Sequence, residues 1–408
     1  MRHDDNLRFV FVCNTDRYSS MDALVQFRGS WDVRKLDTFT GDQTDIQSNF
    51  TNGWTVFKYK FDGCGSLLVR LEQASRPDTT CPKTTPILSP PSVAGIKINK
   101  IKLSEPNVLM LDYAEFKLDD EEWSQRPEEI LRIDNTIRET LKIPRRGGAW
   151  KQPYSIPPSE RRIRATVNLR FKFQSYIGLE TKSMLALENL SSTVIHVNGT
   201  RIPTEDSDGS WWVDEAIKTV HIPPGTIQAG ENIINLALPF GILTNIERVY
   251  LLGDFSVHLY QNLAVLESLN LDALTWGDIT WQGLPFYVGN VLYDCEFSVP
   301  NSSHASTSSV TLSVPDFSSP VLAVHDFKGT KLGNIALQPR TLDLGQLKAG
   351  HHAITITAFG NRYNSFGHIH LQDGKTNDCW PDLWRSKYHP YYERIVLTHH
   401  SSGRLVDG

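Results

Sequence analysis

The sequence predicts a mainly β protein, a tandem array of β-sandwich or jelly-roll domains with one short helical insertion. Three observations predict it. Apolar and polar residues alternate in many short runs separated by Gly, Asp and Asn, the pattern of half-buried strands. One strand is spelled twice: "TIQAGENIINLALPFG" from Thr226 and "QLKAGHHAITITAFGN" from Gln346 each set an Ala-Gly pair ahead of an alternating run. That run is Ile234, Leu236 and Leu238 in one copy and Ile354, Ile356 and Ala358 in the other. Apolar residues fall at helical spacing in one substantial stretch, between Pro127 and Leu141.

In chain order, residues 7 to 72 hold the strand-like runs "LRFVFVCN", "DALVQFRG", "DVRKLDTFTGD" and "WTVFKYKFDGCGSLLVRLE", so a small sandwich is expected over 1–75. Five prolines between Arg76 and Pro91 remove backbone donors and favour extended chain, which predicts a linker over 76–94. A second sandwich is expected over 95–267, opening with "GIKINKIKLSEPNVLMLDYAEFKL". Its helical insertion, near 127–142, places Ile130, Leu131 or Ile133, Ile137 and Leu141 on one stripe that docks on the adjoining sheets. Pro127 falls in its first turn, Glu128 and Glu129 lie where the dipole favours acids, and Pro144 stops the run. Strands resume at "ATVNLRFKFQSY" and continue to "GDFSVHLY". A third sandwich over 268–408 repeats the order of the second: "MLALENLSSTVIHVNGTRI" answers to "VTLSVPDFSSPVLAVHDFKGTKLG", and "NIERVYLL" to "SFGHIHLQ". The period is far longer than that of a solenoid, so one β fold occurs twice.

Composition narrows the function. A chain of 408 residues exceeds one ordinary core, and 40% apolar residues with ten Trp furnish several. A formal charge of −5 with no long basic run argues against nucleic acid as a partner. No run of 18 apolar residues predicts a membrane span, and "MRHDDNLRFVFVCN" lacks the apolar core of a secretion signal. Four glycosylation sequons, at Asn49, Asn189, Asn198 and Asn301, stand against that, with chance in a Ser/Thr-rich chain as the leading reading, so the compartment is left open. Five cysteines without CxxC spacing predict neither a zinc site nor a dense disulfide framework. Cys64 with Cys81, or Cys295 with Cys379, are the pairs open to an oxidising compartment, with buried thiols as the alternative.

The sequence has no GxSxG elbow, GxGxxG or Walker loop, HExxH or EF-hand loop, and no cofactor is expected; a calcium ion at a sandwich rim stays open. The acidic run "LDYAEFKLDDEEW" is expected to be a solvated turn, with Asp112 and Glu115 on opposite faces of a strand. Aromatic clusters carry more chemistry. "DGSWWVDEAI" sets Trp211 beside Trp212, one ring inward and one outward on a strand, with Asp214 close by. "WGDITWQGLPFYVGN" gathers Trp281, Phe286 and Tyr287 around Gln282. A flat ring beside hydrogen-bonding groups matches a sugar's apolar face and hydroxyl rim, and Arg362 in "FGNRYNSFGHIH" is a further polar candidate. Filling of sandwich cores is the competing role for these aromatics. His368 and His370 fall on one face, yet no third ligand follows, so no metal site is assigned.

The segments "EPNVLMLDYAEF", "EEILRIDNTIR", "LALENLSSTVIHVNG", "WWVDEAIKTVHI", "VYLLGDFSV", "WGDITWQGLPFYVGNVLY" and "GNRYNSFGHIH" resemble the C-terminal portion of glycoside hydrolases of the α-L-rhamnosidase type, family 106 and its relatives. The sandwiches are similar to the sugar-binding domains of family 2 enzymes. "LDTFTGD" is similar to the strand that follows the catalytic barrel in such enzymes. The resemblance implies galactose-binding-like jelly rolls for the second and third units, a first unit that follows a lost or separate barrel, and a secreted parent, which agrees with the sequons. Enzymes of this kind keep acid and base on that barrel, and nothing here alternates strands with helices, so no catalytic role transfers to a residue of this chain.

The expectation is a non-catalytic carbohydrate-binding or accessory region, its partner a carbohydrate ligand or an upstream catalytic domain. Its binding candidates are Trp211, Trp212, Asp214, Trp281, Gln282, Phe286, Tyr287 and Arg362. Two rivals stand beside it. One is a glycoside hydrolase in its own right, with two carboxylates facing each other about 5 to 10 Å apart. The other is a structural or interaction protein that binds no sugar.

Overall fold

The computed structural model describes residues 2–4, 7–16, 19–38, 40–74, 95–145, 155–180, 183–204, 209–260, 263–301, 307–338 and 340–366. The expected linker, Cys81, Cys379, His368, His370 and most of "SFGHIHLQ" lie outside them.

Alternation builds the first unit. Its strands are β1 (Arg2–Asp4), β2 (Leu7–Cys13), β3 (Met21–Arg28), β4 (Trp31–Leu36), β5 (Gln43–Asp45), β6 (Asn49–Thr51), β7 (Trp54–Phe61) and β8 (Ser66–Gln73). They form two antiparallel sheets, ordered β1-β2-β8-β4-β5 and β3-β7-β6. Val33, Leu67, Val69 and Leu71 of the first sheet and Phe57 and Phe61 of the second are buried in one core, the interleaving expected of a sandwich. Asn52 and Gly53, at φ of +52° and +82°, close the β6–β7 hairpin. Such a left-handed two-residue turn matches the twist of the strands it joins.

Strand β9 (Lys97–Leu103) precedes the second unit in sequence. That unit comprises β10 (Asn107–Leu111), β11 (Tyr113–Leu118), β12 (Glu128–Glu129), helix α1 (Ile130–Thr140), β13 (Ile163–Ser175), β14 (Ser183–Leu187), β15 (Val194–Val197), β16 (Thr200–Ile202), β17 (Trp211–Trp212), β18 (Asp214–Ile222), β19 (Gly230–Gly241), β20 (Val249–Gly253), β21 (Phe255–Tyr260) and β22 (Leu263–Ser268). One sheet runs β10-β20-β14-β18-β17; the other runs β12-β11-β13-β19-β15-β16, with β22 joining β13 in parallel. The core between them includes Val108, Leu109, Phe171, Leu185, Ile234, Leu251 and the helix residues Ile130, Ile133 and Ile137.

Helix α1 docks on this sandwich as expected, but it starts three residues after Pro127. The backbone of Glu128 and Glu129 pairs with Ala114 and Tyr113 of β11 and is not free to coil. Glu129 caps the helix, its carboxylate accepting from the Arg132 amide at 3.0 Å. Inside the helix Arg138 pairs with Asp134 at 2.7 Å, both side chains only 2% exposed. Arg138 also donates to the Thr244 carbonyl at 2.6 Å, and Asp134 accepts from the Ile246 amide at 3.2 Å, so the pair fixes the β19–β20 connection.

The third unit comprises β23 (Val291–Val299), β24 (Thr307–Ser313), β25 (Leu322–Asp326), β26 (Lys331–Ile335), β27 (Thr341–Lys348), β28 (Gly350–Ala358) and the short helix α2 (Tyr363–Phe366). Its sheets are β26-β25-β28-β23-β9 and β24-β27. Strand β9, expected to open the second sandwich, instead pairs with β23. The duplication is explicit in this topology. The path β11-β13-β19-β15-β16 of the second unit is matched by β9-β23-β28-β25-β26, and β14 pairs with β18 as β24 pairs with β27. The repeated strands β19 and β28 both start on a glycine at positive φ, Gly230 at +108° and Gly350 at +129°. Ile234, Leu236 and Leu238 are buried in one core and Ile354 and Ile356 in the other.

Cys295 lies in the third core, where burial and then the neighbouring Asp294 charge push its thiol up to about 12. Cys13 and Cys64 are exposed and unbridged. Among the described residues no helix is long and apolar enough to cross a membrane.

Candidate functional site

The two adjacent tryptophans stand on β17, the outermost strand of its sheet. Successive side chains of a strand point to opposite faces, and here Trp212 is the inward one at 7% exposure while Trp211 is 55% exposed. The Trp212 ring packs 4.8 Å from that of Tyr250, itself hydrogen-bonded to the buried Arg248; burial pushes the Tyr250 phenol above its ordinary range. Between the tryptophan pair and Asp214, Val213 holds a φ of +69°. A β-branched residue there carries strain of about 1–3 kcal/mol, tolerated where the surroundings over-determine the turn. Asp214 is exposed and accepts from the Ala216 amide at 2.8 Å. Lys218 is the cross-strand partner of Trp211. The result is an exposed indole on a fixed base, with Lys218 opposite it across the strands and Asp214 in the adjoining turn.

The second aromatic segment plays a different part. Trp281 is 56% exposed, but Phe286 and Tyr287 are 2% and 1% exposed. Their assignment as ligand-contacting rings is corrected: both are core, because their segment is wedged between the second and third sandwiches. Phe286 packs in the second core and Tyr287 in the third. The Tyr287 hydroxyl accepts from the Ser104 and Glu105 amides at 3.0 and 3.3 Å and donates to the Asn290 carbonyl at 2.9 Å. Asn107 donates to the Phe255 and Gly283 carbonyls at 2.7 and 3.0 Å from within the same seam. The Gln282 amide is also committed: it accepts from the Thr275 amide at 2.8 Å and donates to the Asp278 carbonyl at 3.2 Å, stapling its own loop.

Arg362 is exposed, 4.0 Å from the Glu105 carboxylate. The turn carrying it is bound to the same seam: Gly360 donates to Asn290 at 3.0 Å, Asn364 to the Tyr287 carbonyl at 3.1 Å and Ser365 to the Phe286 carbonyl at 2.5 Å. A Cβ on Gly360 would collide with the Val288 and Gly289 carbonyls. The two most motif-like segments of the sequence therefore meet, and what they form is an inter-sandwich joint.

Trp211 and Trp281 are not brought together. Trp211 is on the β17 edge, whereas the Trp281 loop reaches β10, the opposite edge, through the Gly283 contact with Asn107. Four strand spacings separate the edges, roughly 19 Å. Nor do the acids converge. Asp119 to Glu122 form the exposed turn expected, but Asp112 is 2% exposed, and Glu115 is tied to Arg170 at 3.0 Å and Lys172 at 2.7 Å. A depression between the sheets, floored by Leu169, Leu236 and Leu238 and rimmed by Glu188 and Glu247, admits little more than a water molecule. Among the described residues no three His, Cys, Asp or Glu side chains gather as metal ligands.

No protein-family model matches the chain, and no curated protein matches it. Solved structures similar to it include a rhamnosidase from Novosphingobium sp., at 13% identity and a TM-score of 0.19, over 61% of this chain and 23% of that one. An exo-chitosanase from Amycolatopsis orientalis matches at 11% identity and a TM-score of 0.24, over 61% of this chain and 28% of that one. A β-glucuronidase from Ruminococcus gnavus matches at 9% identity and a TM-score of 0.21, over 67% and 42%. The matched region spans about a quarter of the length of the first two.

Proposed function

We propose that this chain is a non-catalytic accessory region of a glycoside hydrolase-like protein and that it binds carbohydrate at the Trp211 surface. The observation that carries the reading is the half-exposed indole of Trp211 on a strand whose next residue, Trp212, is locked against Tyr250. The strand beneath the indole is anchored by Trp212, and a sugar's CH face covers the ring while Lys218, opposite it across the strands, reaches the hydroxyl rim and Asp214 lies in the adjoining turn. Trp281 is a secondary candidate, because its ring is exposed while Gln282 is occupied by its own loop. The resemblance of the sequence segments to the accessory modules of rhamnosidase-type enzymes supports the same ligand class.

Affinity electrophoresis of the whole chain in gels of neutral polysaccharides tests the reading. Retention is expected, with Trp211→Ala weakening it roughly tenfold, about 1.4 kcal/mol, and with no turnover of aryl glycosides. Hydrolysis that a single Asp or Glu substitution abolishes would make the chain an enzyme instead. No retention in any neutral gel would leave a purely structural array.

A further inference from the structure

The first unit has a second aromatic surface, distinct from Trp211 in residues and in charge. On the β3-β7-β6 sheet, Val25, Phe27, Phe57 and Phe61 face the core. Alternation turns Leu24, Gln26 and Arg28 of β3, Trp54, Val56, Lys58 and Lys60 of β7, and Asn49 and Thr51 of β6 to the opposite face. Trp54 is 42% exposed and Leu24 58%. The register ranks them across the sheet: Arg28 and Thr51 flank Trp54, Gln26 and Asn49 flank Val56, and Leu24 lies beside Lys58. The Asn52-Gly53 turn directly before Trp54 pins that register.

Charge separates this face from its opposite number. On the outer face of the β1-β2-β8-β4-β5 sheet, among the described side chains, Arg34 is paired with Asp45 and Arg70 with Glu72. Among the described residues Arg28 and Lys58 form no ion pair and face no acid across the strands; the one acid on their face, Asp22, stands opposite Lys60. An apolar strip of Trp54, Val56 and Leu24 bordered by Arg28 and Lys58, with no acid opposite either, calls for an extended ligand with flat apolar faces and spaced negative charge. From Trp54 to Lys60 the strip runs roughly 20 Å, room for several sugar residues.

We infer that the outer face of the β3-β7-β6 sheet is a binding platform for an acidic polysaccharide, one bearing carboxylates. Trp54 takes a sugar's CH face, and Arg28, whose planar fork matches a carboxylate, takes the acid group with Lys58 along the strip. Single-stranded nucleic acid shares flat rings and negative charge. It needs a longer basic track than Arg28 and Lys58 supply in a chain of net charge −5, so the sugar is the better match. The inference shares its ligand class with the proposed function but rests on other residues.

The test uses the full chain carrying Trp211→Ala, which silences the other surface. In gels holding polygalacturonate this protein is expected to be retarded, with retention falling at least tenfold on adding Trp54→Ala or the exposed pair Arg28→Gln and Lys58→Gln. Retention is also expected to weaken at 0.5 M salt, where exposed charges are screened. Equal retention in galactomannan, no retention in polygalacturonate, or retention indifferent to both sets of substitutions would overturn it. Tighter binding of a single-stranded oligonucleotide than of polygalacturonate would overturn it as well. Loss of Trp211-dependent binding to neutral polysaccharides would count against the proposed function alone.

Discussion

Tyr287 shows at the level of one side chain how a residue that reads as a ligand contact becomes a structural one. Its ring is buried and its hydroxyl serves two backbone donors and one acceptor across the joint. Tyr287→Phe leaves those donors without a partner and is expected to cost about 1–3 kcal/mol. Urea titration of the whole chain measures that cost, while retention on polysaccharide gels stays unchanged. Trp211 and Trp212 are the converse: a period of two guarantees that one points out, but the sequence is symmetric between them. What breaks the symmetry is Tyr250, some 40 residues on, against which only Trp212 packs. The strained Val213 gave no signal in its letter code, since Val at positive φ is the opposite of what local preference selects.

Among the elements, the repeated strand was the most legible, because both causes of it are local. Alternation assigns its faces, and the glycine after alanine supplies the positive φ at its start. The helix was legible through its spacing, but its first turn was not, because β11 claims the backbone of Glu128 and Glu129. Within the helix, Arg138 and Asp134 look like an ordinary exposed pair four residues apart, and burial by the β19–β20 connection makes them something else. Arg138→Ala strands a carboxylate that is 2% exposed and is expected to destabilise by about 3–5 kcal/mol. Removing the neighbouring exposed pair through Arg145→Ala is expected to cost no more than about 1 kcal/mol. Paired chemical denaturation curves compare the two. Trp54 carries no signal in the sequence, because a single Trp after a turn has no pattern; its surface exists only once three strands lie side by side.

Across the whole molecule the second and third sandwiches are clasped. The third sheet takes its edge strand, β9, from the chain that precedes the second sandwich, and Tyr287, Asn107 and Ser365 tie the seam between the two units. A chain starting at residue 104 lacks β9 and uncovers Ile101's neighbours in the third core. Compared with a chain starting at residue 95, it is expected to lose the thermal transition of the third unit at a lower temperature while the second holds. A peptide of residues 95–103 added in trans should restore it by strand addition. Indifference of the melting profile to β9 would show that the strand is dispensable.

The sequence by itself determined that this protein is an array of sandwiches and that two of them are copies, because strand period, turn glycines and proline punctuation act over a few residues. Tertiary structure alone decided which strands share a sheet, which tryptophan faces water, and that the most motif-like segments close a joint. Closing a loop costs only slowly more as it lengthens, so a strand such as β9 can take a partner nearly two hundred residues away, and adjacency in the chain does not name its neighbour.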